Sequence, residues 1–419
     1  MEPVYITGAV RTPIGSFLGS LKEFSAPQLG ATCLEASITL AGIPYRWPVD
    51  YCVMGNVYQA GVGQAPALQA VRLAESRSHM PARTVNKLCG SGLDAVIIAA
   101  QSVMAQQADI VLAGGMESMS NAKFLLDRGA IKKKAGTATK DDLAVGDTTL
   151  IYDSLIFDGL EDAYTKRSMG ECAELCAMHY DITREEQDAF AIRSYTRAIA
   201  SWKGRDTESE IVCPHKGKRE ALIWDEELGK FNESKLRAMP PVFDKEHGTI
   251  TAANASKISD GAASMVVISE RAKEQYRMRA QARILEWATV VEAPEWFTIA
   301  PIAAIRRLDF WRKHRDKIDL FEINEAFAPV VIAATRELNI PEEKVNIAGG
   351  AIAMGHPIGA SGARILVTLI HNLRLMRKKI GVAAVCIGGG EAIAMVIETV
   401  EAPPTPRRLI PQRQTRMRQ

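Results

Sequence analysis

The chain has 419 residues, of which 47% are hydrophobic and 24% are charged, and its net charge is +2. This composition is ordinary for a soluble globular protein, and the length suggests two or three domains or one duplicated domain. A charge so near neutrality does not require a nucleic acid or a membrane as a partner, and no apolar run reaches the roughly 18 residues of a membrane-spanning helix. We therefore expect neither a nucleic-acid nor a membrane partner.

The seven cysteines are an odd number and lack the spacing of a disulfide framework. They favour a reducing compartment over a secreted location. Cys172 and Cys176 would share one face of a helix, and we expect them in the core because no second Cys/His pair completes a metal site. A strand-like run begins at Val4 and leaves no room for a targeting peptide before it, so we expect a cytoplasmic location, with a mitochondrial one as the alternative.

Strand and helix patterns alternate along the first 118 residues. The predicted elements are a strand at 4–10 that ends in a turn at 11–15, a helix at 26–42, a strand at 50–54, a helix at 92–107 and a strand at 110–113. Gly114 and Gly115 are expected to stop the last strand. This alternation predicts an α/β protein with a mostly parallel sheet covered by helices.

The composition changes between residues 119 and 248, where charged and turn-forming residues dominate and long strand patterns are scarce. We interpret this region as an inserted loop domain that contains a helix at 185–202, with strand character returning at 265–268. The predicted domains are therefore an N-terminal half (1–118 plus 249–270), a loop domain (119–248) and a C-terminal half (271–400). A disordered basic tail is predicted at 401–419.

The second half repeats the order of the first. Residues 89–92, Cys-Gly-Ser-Gly, precede an apolar helix, a strand and the run Gly-Gly-Met-Glu at 114–117. Residues 359–362, Gly-Ala-Ser-Gly, precede an apolar helix, a strand and the run Gly-Gly-Gly-Glu at 388–391. Such a repeat predicts two copies of one α/β unit, whose corresponding loops meet at a pseudo-twofold interface that favours a functional site.

Two residues stand out as candidates for nucleophilic chemistry. Cys89 directly precedes a predicted helix, whose free N–H groups and positive potential would lower the pKa of the thiol and favour the thiolate; a packed cysteine is the alternative. His356 lies among glycines, which indicates an exposed, positioned loop rather than the interior of an element. A histidine within hydrogen-bond reach of a cysteine can take its proton and activate it.

Two further positions allow a structural or a functional interpretation. Cys386 ends a predicted strand, where a cysteine usually belongs to the core, but the glycines after it suit a loop whose N–H groups face an oxyanion. Asn324 follows the apolar run at 320–323 and would by itself most simply be a helix N-cap.

Five ordered motifs resemble signatures of the thiolase family. They are Asn-Lys-Leu-Cys-Gly-Ser-Gly at 86–92, Gly-Gly-Met-Glu-Ser-Met at 114–119, Asn-Glu-Ala-Phe-Ala at 324–328, Gly-His-Pro-Ile-Gly at 355–359 and Cys-Ile-Gly-Gly-Gly at 386–390. The segments 9–15 and 254–263 add to the likeness, which covers about residues 3–398. Within the family, 5–21 and 194–197 are most similar to the acetoacetyl-CoA branch, close to its mitochondrial type.

This resemblance implies a thiolase fold, with two duplicated Rossmann-like halves in five αβαβα layers and an inserted loop domain. It implies a reversible condensation of two acetyl-CoA into acetoacetyl-CoA and CoA, without a further cofactor. Cys89 would be the acylated nucleophile, His356 its activator and Cys386 the acid/base for the α-carbon. Asn324 would hold a water for the enolate oxygen, and the N–H groups of Cys89 and Gly388 would hold the acyl-enzyme oxygen.

Binding residues follow from the same resemblance. Ser256 would lie near the pantetheine of CoA, and the nucleotide end would meet Tyr195, Lys230, Phe231, Asn232 and Lys235. A potassium ion is possible, with plain packing as the alternative; its site would be formed by Tyr195, Ala252, Ala253, Ala255 and Ile352. The family also implies a homotetramer.

Three departures from the family pattern bear on substrate choice. Ser168 stands where many acetoacetyl-CoA enzymes have histidine, Glu391 stands where glycine is common, and the basic tail has no counterpart. Phe297 matches a phenylalanine that accompanies acceptance of a 2-methyl branch, but Thr298 replaces a neighbouring proline.

Other functions stay open at this point. A 3-ketoacyl-CoA thiolase of longer-chain or branched acyl-CoA degradation is the alternative of the same class, and Ser168 allows it. A decarboxylating ketoacyl synthase is disfavoured because it has no second cysteine such as Cys386. An inactive scaffold or a binder that acts through its tail is the alternative of another class, against which the intact motif residues argue.

Overall fold

The computed structural model describes residues 2–44, 47–74, 79–127, 150–204, 209–216, 219–220 and 222–400. The tail at 401–419 lies outside these residues, so its predicted disorder stays a prediction. Fourteen strands occur in the described part of the chain: β1 Val4–Arg11, β2 Gly15–Ser16, β3 Tyr51–Gly55, β4 Ala82–Val85, β5 Ile110–Ser118, β6 Phe124–Leu126, β7 Ile151–Asp153, β8 His215–Lys216, β9 Arg219–Glu220, β10 Ser259–Ser269, β11 Ala282–Val291, β12 Leu320–Ile323, β13 Ile380–Ile387 and β14 Glu391–Thr399.

Twelve α-helices lie within the same described ranges. They are α1 Ala26–Leu40, α2 Pro66–Leu73, α3 Ser91–Met104, α4 Met169–His179, α5 Arg184–Gly204, α6 Glu233–Arg237, α7 Glu270–Gln275, α8 Ala300–Arg307, α9 Asp309–His314, α10 Ala328–Leu338, α11 Ala351–Met354 and α12 Ile358–Leu375. The predicted helices at 26–42, 92–107 and 185–202 correspond to α1, α3 and α5. Helix α1 begins where the sequence predicts because Ser25 and Gln28 form a reciprocal capping box.

The main sheet follows the order β12-β13-β14-β11-β1-β10-β5-β3-β4, with β2 attached to β10. Reading outward from the β11–β1 junction, the two directions match: β1 corresponds to β11, β10 to β14, β5 to β13 and β3 to β12. The junction is a short antiparallel pairing in which Val4 opposes Ile284. This symmetry is the predicted duplication of one α/β unit.

Helices and strands stack in five layers. Helices α1 and α2 cover the outer face of the N-terminal strands, and α8 packs on the outer face of β11, β13 and β14. Helix α12 contacts α3 and the strands of both halves, α3 contacts the strands of the N-terminal half, and the two helices form the middle layer. The starts of these two helices lie side by side at the centre of the molecule, and the two candidate loops around Cys89 and His356 lead into them.

The prediction of a mostly parallel sheet is wrong. The parallel pairs are β3–β4, β3–β5 and β12–β13, whereas the pairs through the middle of the sheet are antiparallel. A three-residue turn joins β13 to β14, and so short a connection permits only antiparallel pairing, since parallel strands require a crossover. The corresponding strands β5 and β10 are also antiparallel, but residues 119–258 separate them in the chain. The inserted region thus replaces a tight turn; its proposed limits at 119 and 248 stay predictions.

The glycines of the first half do not stop a strand, contrary to the prediction. Strand β5 continues through Gly114 and Gly115 to Ser118. A side chain at Gly115 would have no room, because its Cβ would lie 2.0 Å from the carbonyl oxygen of Gly359. Glycine at this position therefore permits the N-terminal half to contact the start of α12 through backbone alone.

The matched glycine runs of the two halves are also not equivalent in space. Glu117 lies within strand β5, whereas Glu391 follows the turn at 388–390 and begins β14. The sequence comparison that matched Glu117 with Glu391 is therefore wrong, since it aligned a strand with a turn.

We predict that Gly115→Ala destabilises the fold by at least about 3 kcal/mol, because the new methyl group would collide with backbone rather than with a flexible side chain. Gly261→Ala is the matched control: it is a glycine in the paired strand β10, and its Cβ would lie 3.3 Å from the nearest heavy atom, Pro357 Cγ. The control should change stability by about 1 kcal/mol or less. Urea unfolding of both variants measures the difference, and equal stabilities would contradict the proposed backbone contact.

Candidate active site

The loop that carries Cys89 is a tight turn between β4 and α3. Leu88 adopts a left-handed backbone conformation, with φ of 47°, and its N–H donates to the carboxamide oxygen of Asn86 at 3.1 Å. The hydroxyl of Ser91 accepts from the N–H of Lys87 at 2.8 Å and donates to the carbonyl of Leu88 at 2.6 Å. These bonds hold Cys89, partly buried, at the amino end of α3, where the sequence predicts it.

The predicted direction of the Cys89 pKa shift is wrong. Burial is the largest influence and raises the pKa of Cys89 to about 11, although the backbone N–H groups of Gly388 and of Cys89 itself oppose it. The start of α3 therefore does not by itself supply a thiolate. At neutral pH Cys89 is a thiol that needs a base to take its proton.

His356 is the candidate for this base. Its loop is buried and not exposed as the sequence suggested, because α12 and the segment before β10 enclose it. The hydroxyl of Ser361 donates to the carbonyl of Pro357 at 2.9 Å and lies 2.5 Å from Nδ1 of His356. The hydroxyl of Ser361 has only one proton, and it donates this proton to Pro357. We therefore infer that Nδ1 of His356 carries a proton and donates a hydrogen bond to Ser361 Oγ. Nε2, which is buried and has no partner among the described residues, then offers its lone pair.

The charge state of His356 agrees with this role. Burial lowers the pKa of His356 to about 3, and the nearby positive charge of Arg364 acts in the same direction. The imidazole is therefore neutral over the whole range in which proteins work, and its free nitrogen can accept a proton.

Asn324 does not cap a helix, because α10 begins only at Ala328. Its N–H donates to the carbonyl of Ala384 at 2.9 Å, which fixes it at the end of β12. Its carboxamide oxygen accepts from the guanidinium of Arg364 at 3.3 Å, and its Nδ2 is buried without a partner in the described part of the chain. A buried donor without a partner is costly, so this amide group fits a site that hydrogen-bonds a substrate or a water.

Cys386 is fully buried near the end of β13, in an apolar cluster with Met169, Phe297 and Phe327. Burial raises the pKa of Cys386 well above its ordinary value, and the charge of an ionised Cys89 raises it further. The two sulfurs are thus close enough to interact across the seam between the halves. Cys386 is a neutral thiol and a potential proton donor at that seam.

The turn at 388–390 connects Cys386 with Cys89. Gly389 and Gly390 have φ of 82° and 92°, values that favour glycine, and the N–H of Gly388 points at the Cys89 thiol. Glu391, one of the departures from the family pattern, begins β14 and forms an ion pair with Lys87 in the Cys89 turn. This ion pair joins the nucleophile turn to the glycine turn from the solvent side.

Glu117 has a supporting role that its motif does not reveal. It is fully buried, and its carboxylate accepts from Asn56 Nδ2 at 2.6 Å and from the N–H groups of Val57 at 2.9 Å and Gly359 at 2.9 Å. Burial raises the pKa of Glu117 to about 7, although these donors favour the ionised form. One carboxylate therefore ties the N-terminal half to the loop of His356. The signal available in the sequence is a glutamate within an otherwise apolar strand pattern.

The residues expected at the nucleotide end of CoA come together only in part. The rings of Tyr195 and Phe231 stack with centroids 4.8 Å apart. The ammonium of Lys230 is already bound to Ser16 Oγ at 2.6 Å and to Glu227 at 2.8 Å. The charge of Lys230 at this surface is therefore already paired with the carboxylate of Glu227.

The other expected CoA residues have local structural partners. Asn232 is the N-cap of α6, since its carboxamide oxygen accepts from the N–H of Lys235 at 2.9 Å, and both side chains are exposed. The N–H of Ser256 donates to the carbonyl of Ala326 at 2.9 Å, which brings Ser256 beside the segment of Asn324. Their contacts with CoA stay predictions.

The residues expected to bind potassium do not fit that ion well. Ala255 is one of the five expected ligands, and its carbonyl already accepts a hydrogen bond from the ammonium of Lys257 at 2.7 Å. Burial lowers the pKa of Lys257 to about 8, while the carboxylates of Glu227 and Glu325 oppose this shift. A cationic group of the chain itself thus occupies part of the expected coordination sphere.

Ser168 acts as a helix cap. It is the N-cap of α4 and forms a capping box with Glu171, whose carboxylate accepts from the N–H of Ser168 at 2.7 Å. Helix α4 carries Cys172 and Cys176, both buried in the core as predicted. The change from histidine to serine therefore has a local structural explanation.

Comparisons with known proteins agree with this arrangement. The model of the thiolase N-terminal domain matches residues 4–271, and that of the thiolase C-terminal domain matches residues 278–399. The acetyl-CoA acetyltransferase IA of Candida tropicalis is 43% identical over 413 residues, covering 96% of this chain and 98% of that protein. The mitochondrial acetyl-CoA acetyltransferase of Bos taurus is 42% identical over 404 residues, covering 95% and 92%.

A solved structure gives the same likeness in three dimensions. The Acat5 thiolase from Ascaris suum, crystallised in complex with coenzyme A, superposes with a TM-score of 0.86 at 40% identity and covers 95% of this chain and all of that one. In the described part of this chain, no helix is both long and apolar enough to cross a membrane.

We predict that alkylation of Cys89 by iodoacetamide accelerates about tenfold per pH unit between about pH 7 and about pH 10, because the thiolate fraction rises in this proportion below the pKa. Peptide mass spectrometry at a series of pH values measures the rate. Cys33, which is fully buried on α1, is the internal control and should stay unmodified. A rate that levels off below about pH 8 would contradict this prediction, because it would show that the pKa of Cys89 is lowered and not raised.

Proposed function

The chain belongs to the thiolase family, and on this premise we propose that it is an acetyl-CoA C-acetyltransferase with Cys89 as its nucleophile. It interconverts two molecules of acetyl-CoA with acetoacetyl-CoA and CoA. The observation that carries the assignment of roles is the meeting of the Cys89 thiol, the N–H of Gly388 and the buried thiol of Cys386 at the seam of the two halves. CoA is substrate and product, and the chemistry requires no further cofactor.

The cleavage direction shows how the protons move. Nε2 of His356 takes the proton of Cys89, and the thiolate attacks the 3-keto carbon of acetoacetyl-CoA. The bond between C2 and C3 breaks, which leaves acetyl-Cys89 and the enolate of acetyl-CoA. The N–H groups of Cys89 and Gly388 stabilise the oxyanion on the attacked carbon, and they are already aimed at the sulfur before the substrate arrives.

The enolate is then protonated on C2 by Cys386, whose thiol is neutral because burial raises its pKa. The enolate oxygen is held meanwhile by a water bound to Asn324 Nδ2 and by His356. CoA next attacks acetyl-Cys89: its thiol proton returns to Cys386, a new carbon–sulfur bond gives the second acetyl-CoA, and His356 returns its proton to Cys89. Condensation of two acetyl-CoA is the reverse sequence.

We expect the two cysteines to separate the two half-reactions. Cys89→Ser should abolish acetylation and turnover together, because serine is a far weaker nucleophile at neutral pH. Cys386→Ala should slow acetyl transfer between acetyl-CoA and labelled CoA by about tenfold or less, because in this exchange His356 can itself carry the proton between Cys89 and the thiol of CoA. Carbon–carbon bond formation should fall by about 10²–10⁴-fold, the usual value of a general acid/base. Isotope exchange measures the first reaction, and acetoacetyl-CoA formation measures the second.

Cys33→Ala is the matched control, a buried cysteine on α1 that should leave both half-reactions intact. Mass spectrometry after incubation with labelled acetyl-CoA should locate the acetyl group on Cys89. A label on Cys386, or equal loss of both half-reactions in Cys386→Ala, would overturn the assignment of roles.

The shape of the acyl site supports substrates with a 2-methyl branch. Phe297 is buried in one cluster with Cys386, and its ring meets that of Phe327 edge-on at 6.5 Å. Thr298, in place of a proline, is also fully buried. Phe297 and Phe327 share this cluster with the thiol proposed to protonate the α-carbon, so they limit the space for a substituent there.

We therefore predict that 2-methylacetoacetyl-CoA is cleaved with kcat/KM within about tenfold of acetoacetyl-CoA, which is the lower end of the roughly 10–200-fold discrimination that one methyl group produces in an apolar pocket. Thiolysis of both substrates and of a 3-ketohexadecanoyl-CoA measures the preference. A hundredfold preference for acetoacetyl-CoA over its 2-methyl analogue would refute this prediction, and equal cleavage of the long chain would favour the longer-chain thiolase.

We also propose a homotetramer, or at least a dimer. Strand β4 is the last strand of the sheet in the described chain, and its residues are incompletely buried, so this edge can pair with a second copy. Light scattering that returned the mass of one chain would exclude both.

For location, we propose the cytoplasm, with mitochondria as the alternative. The seven cysteines all lie in the described chain as thiols, which supports a reducing compartment. Imaging of the tagged protein beside organelle markers decides between the two.

A potassium ion has no part in the steps above. The possible site at Tyr195, Ala252, Ala253, Ala255 and Ile352 includes the carbonyl that Lys257 already occupies. The chemistry is complete without that ion.

A further inference from the structure

Lys257 lies between the residue proposed to meet the pantetheine and the base that activates Cys89. Its ammonium donates to the carbonyl of Ala255 at 2.7 Å. Its own carbonyl accepts from the N–H of His356 at 2.9 Å, and the adjacent Ser256 is bound through its N–H to Ala326 at 2.9 Å. The short segment 255–257 is therefore bound to Ala326 and to His356, and the ammonium of Lys257 adds a hydrogen bond within the segment.

Negative charge gathers at the same place. The carboxylates of Glu227 and Glu325 act on both the ammonium of Lys257 and the hydroxyl of Tyr195. Glu325 is fully buried and accepts from the N–H of Ile352 at 3.1 Å and from the hydroxyl of Ser194 at 2.7 Å. Three members of the expected potassium site, Tyr195, Ala255 and Ile352, thus surround carboxylates that require a positive counter-charge.

The ammonium of Lys257 is one of the positive charges there. Glu325 also interacts with the guanidinium groups of Arg364 and Arg197. Lys230 pairs with Glu227 from the solvent side, and its ammonium is exposed. Lys257 is less exposed and is bound directly to a backbone carbonyl of the segment. An ammonium and a potassium ion carry the same charge and both bind carbonyl oxygens, so either group can hold such a loop.

We propose that Lys257 is a built-in cation: its ammonium replaces a monovalent metal ion at the Ala255 carbonyl and positions Ser256 and His356, so that the enzyme acts without potassium. Lys257 is a positioning residue, because its ammonium binds the loop and not the substrate. This inference rests on the proposed thiolase reaction. It predicts loss of CoA binding on removal of the ammonium, with a smaller effect on the chemistry of Cys89.

The unmodified enzyme gives the first test. Thiolysis of acetoacetyl-CoA should proceed at the same rate in potassium, sodium and choline chloride of equal ionic strength, with the protein first dialysed free of potassium. A clear stimulation by potassium over both other salts would overturn the proposal, whatever any variant does.

Two variants at one position give the second test. Lys257→Ala removes the ammonium and leaves space, so KM for CoA should rise roughly tenfold, the usual effect of losing a charged hydrogen bond, and potassium should restore part of it. Lys257→Met removes the charge but fills the space, so KM should rise without restoration by potassium. Lys245→Ala removes an exposed lysine that, like Lys257, lies between β5 and β10, and this variant should behave as the unmodified enzyme.

The outcome separates this inference from the proposed function. Transfer of label from acetyl-CoA to Cys89 should survive in both Lys257 variants at saturating substrate, which shows that the thiolase chemistry itself is intact. Unchanged KM in both variants would overturn the role of Lys257 while leaving the proposed function in place. If Lys257→Ala does not fold, the salt comparison and Lys257→Met still decide.

Discussion

The carbonyl oxygen of Gly359 determines how closely the two halves can approach. Added Cβ atoms on Gly55, Gly92 and Gly115 would lie 2.6, 3.1 and 2.0 Å from that one oxygen, so three elements of the N-terminal half contact it with backbone alone. The N–H of the same residue is bound by Glu117. Cys89 lies three residues before Gly92, and His356 three residues before Gly359. The distance between nucleophile and base is therefore set by contacts that tolerate no side chain, and the site is as rigid as the core around it.

Burial of this seam determines the charge states of the groups that react. The same loss of water raises the pKa of both thiols and lowers the pKa of His356, so all three groups rest in their neutral forms. In the proposed mechanism, charge appears only when a proton moves from Cys89 to His356, beside N–H groups that are already in place. Fixed donors in a dry site stabilise developing charge without reorganisation, which is the largest single contribution in many enzymes. The resting enzyme thus avoids a buried ion pair, whose desolvation would destabilise the fold.

The sequence predicted best those features that depend on neighbouring residues. Helix α1 begins at the cap that Ser25 predicts, and β12 coincides with the apolar run at 320–323. Features that depend on distant packing were not predictable. Gly114 lies against the neighbouring strand β10, and Gly115 lies against the backbone of Gly359 in the other half. Burial likewise reversed the expected shift of the Cys89 pKa. The motif residues Cys89, His356, Cys386 and Asn324 were identifiable from their glycine and polar surroundings. The groups that orient them, Ser361 and Arg364, were not, because within the apolar pattern of α12 nothing distinguishes them from ordinary helical residues.

Duplication has left the two halves chemically unlike. In the N-terminal half, Asn56 Nδ2 donates to Glu117 at 2.6 Å and Glu117 accepts from the N–H of Gly359, so these polar groups satisfy one another and join the halves. In the C-terminal half, the thiol of Cys386 lies in an apolar cluster, and Nδ2 of Asn324 has no protein partner in the described chain. A buried donor without a partner is costly, so its presence is explained by a partner that arrives with the substrate.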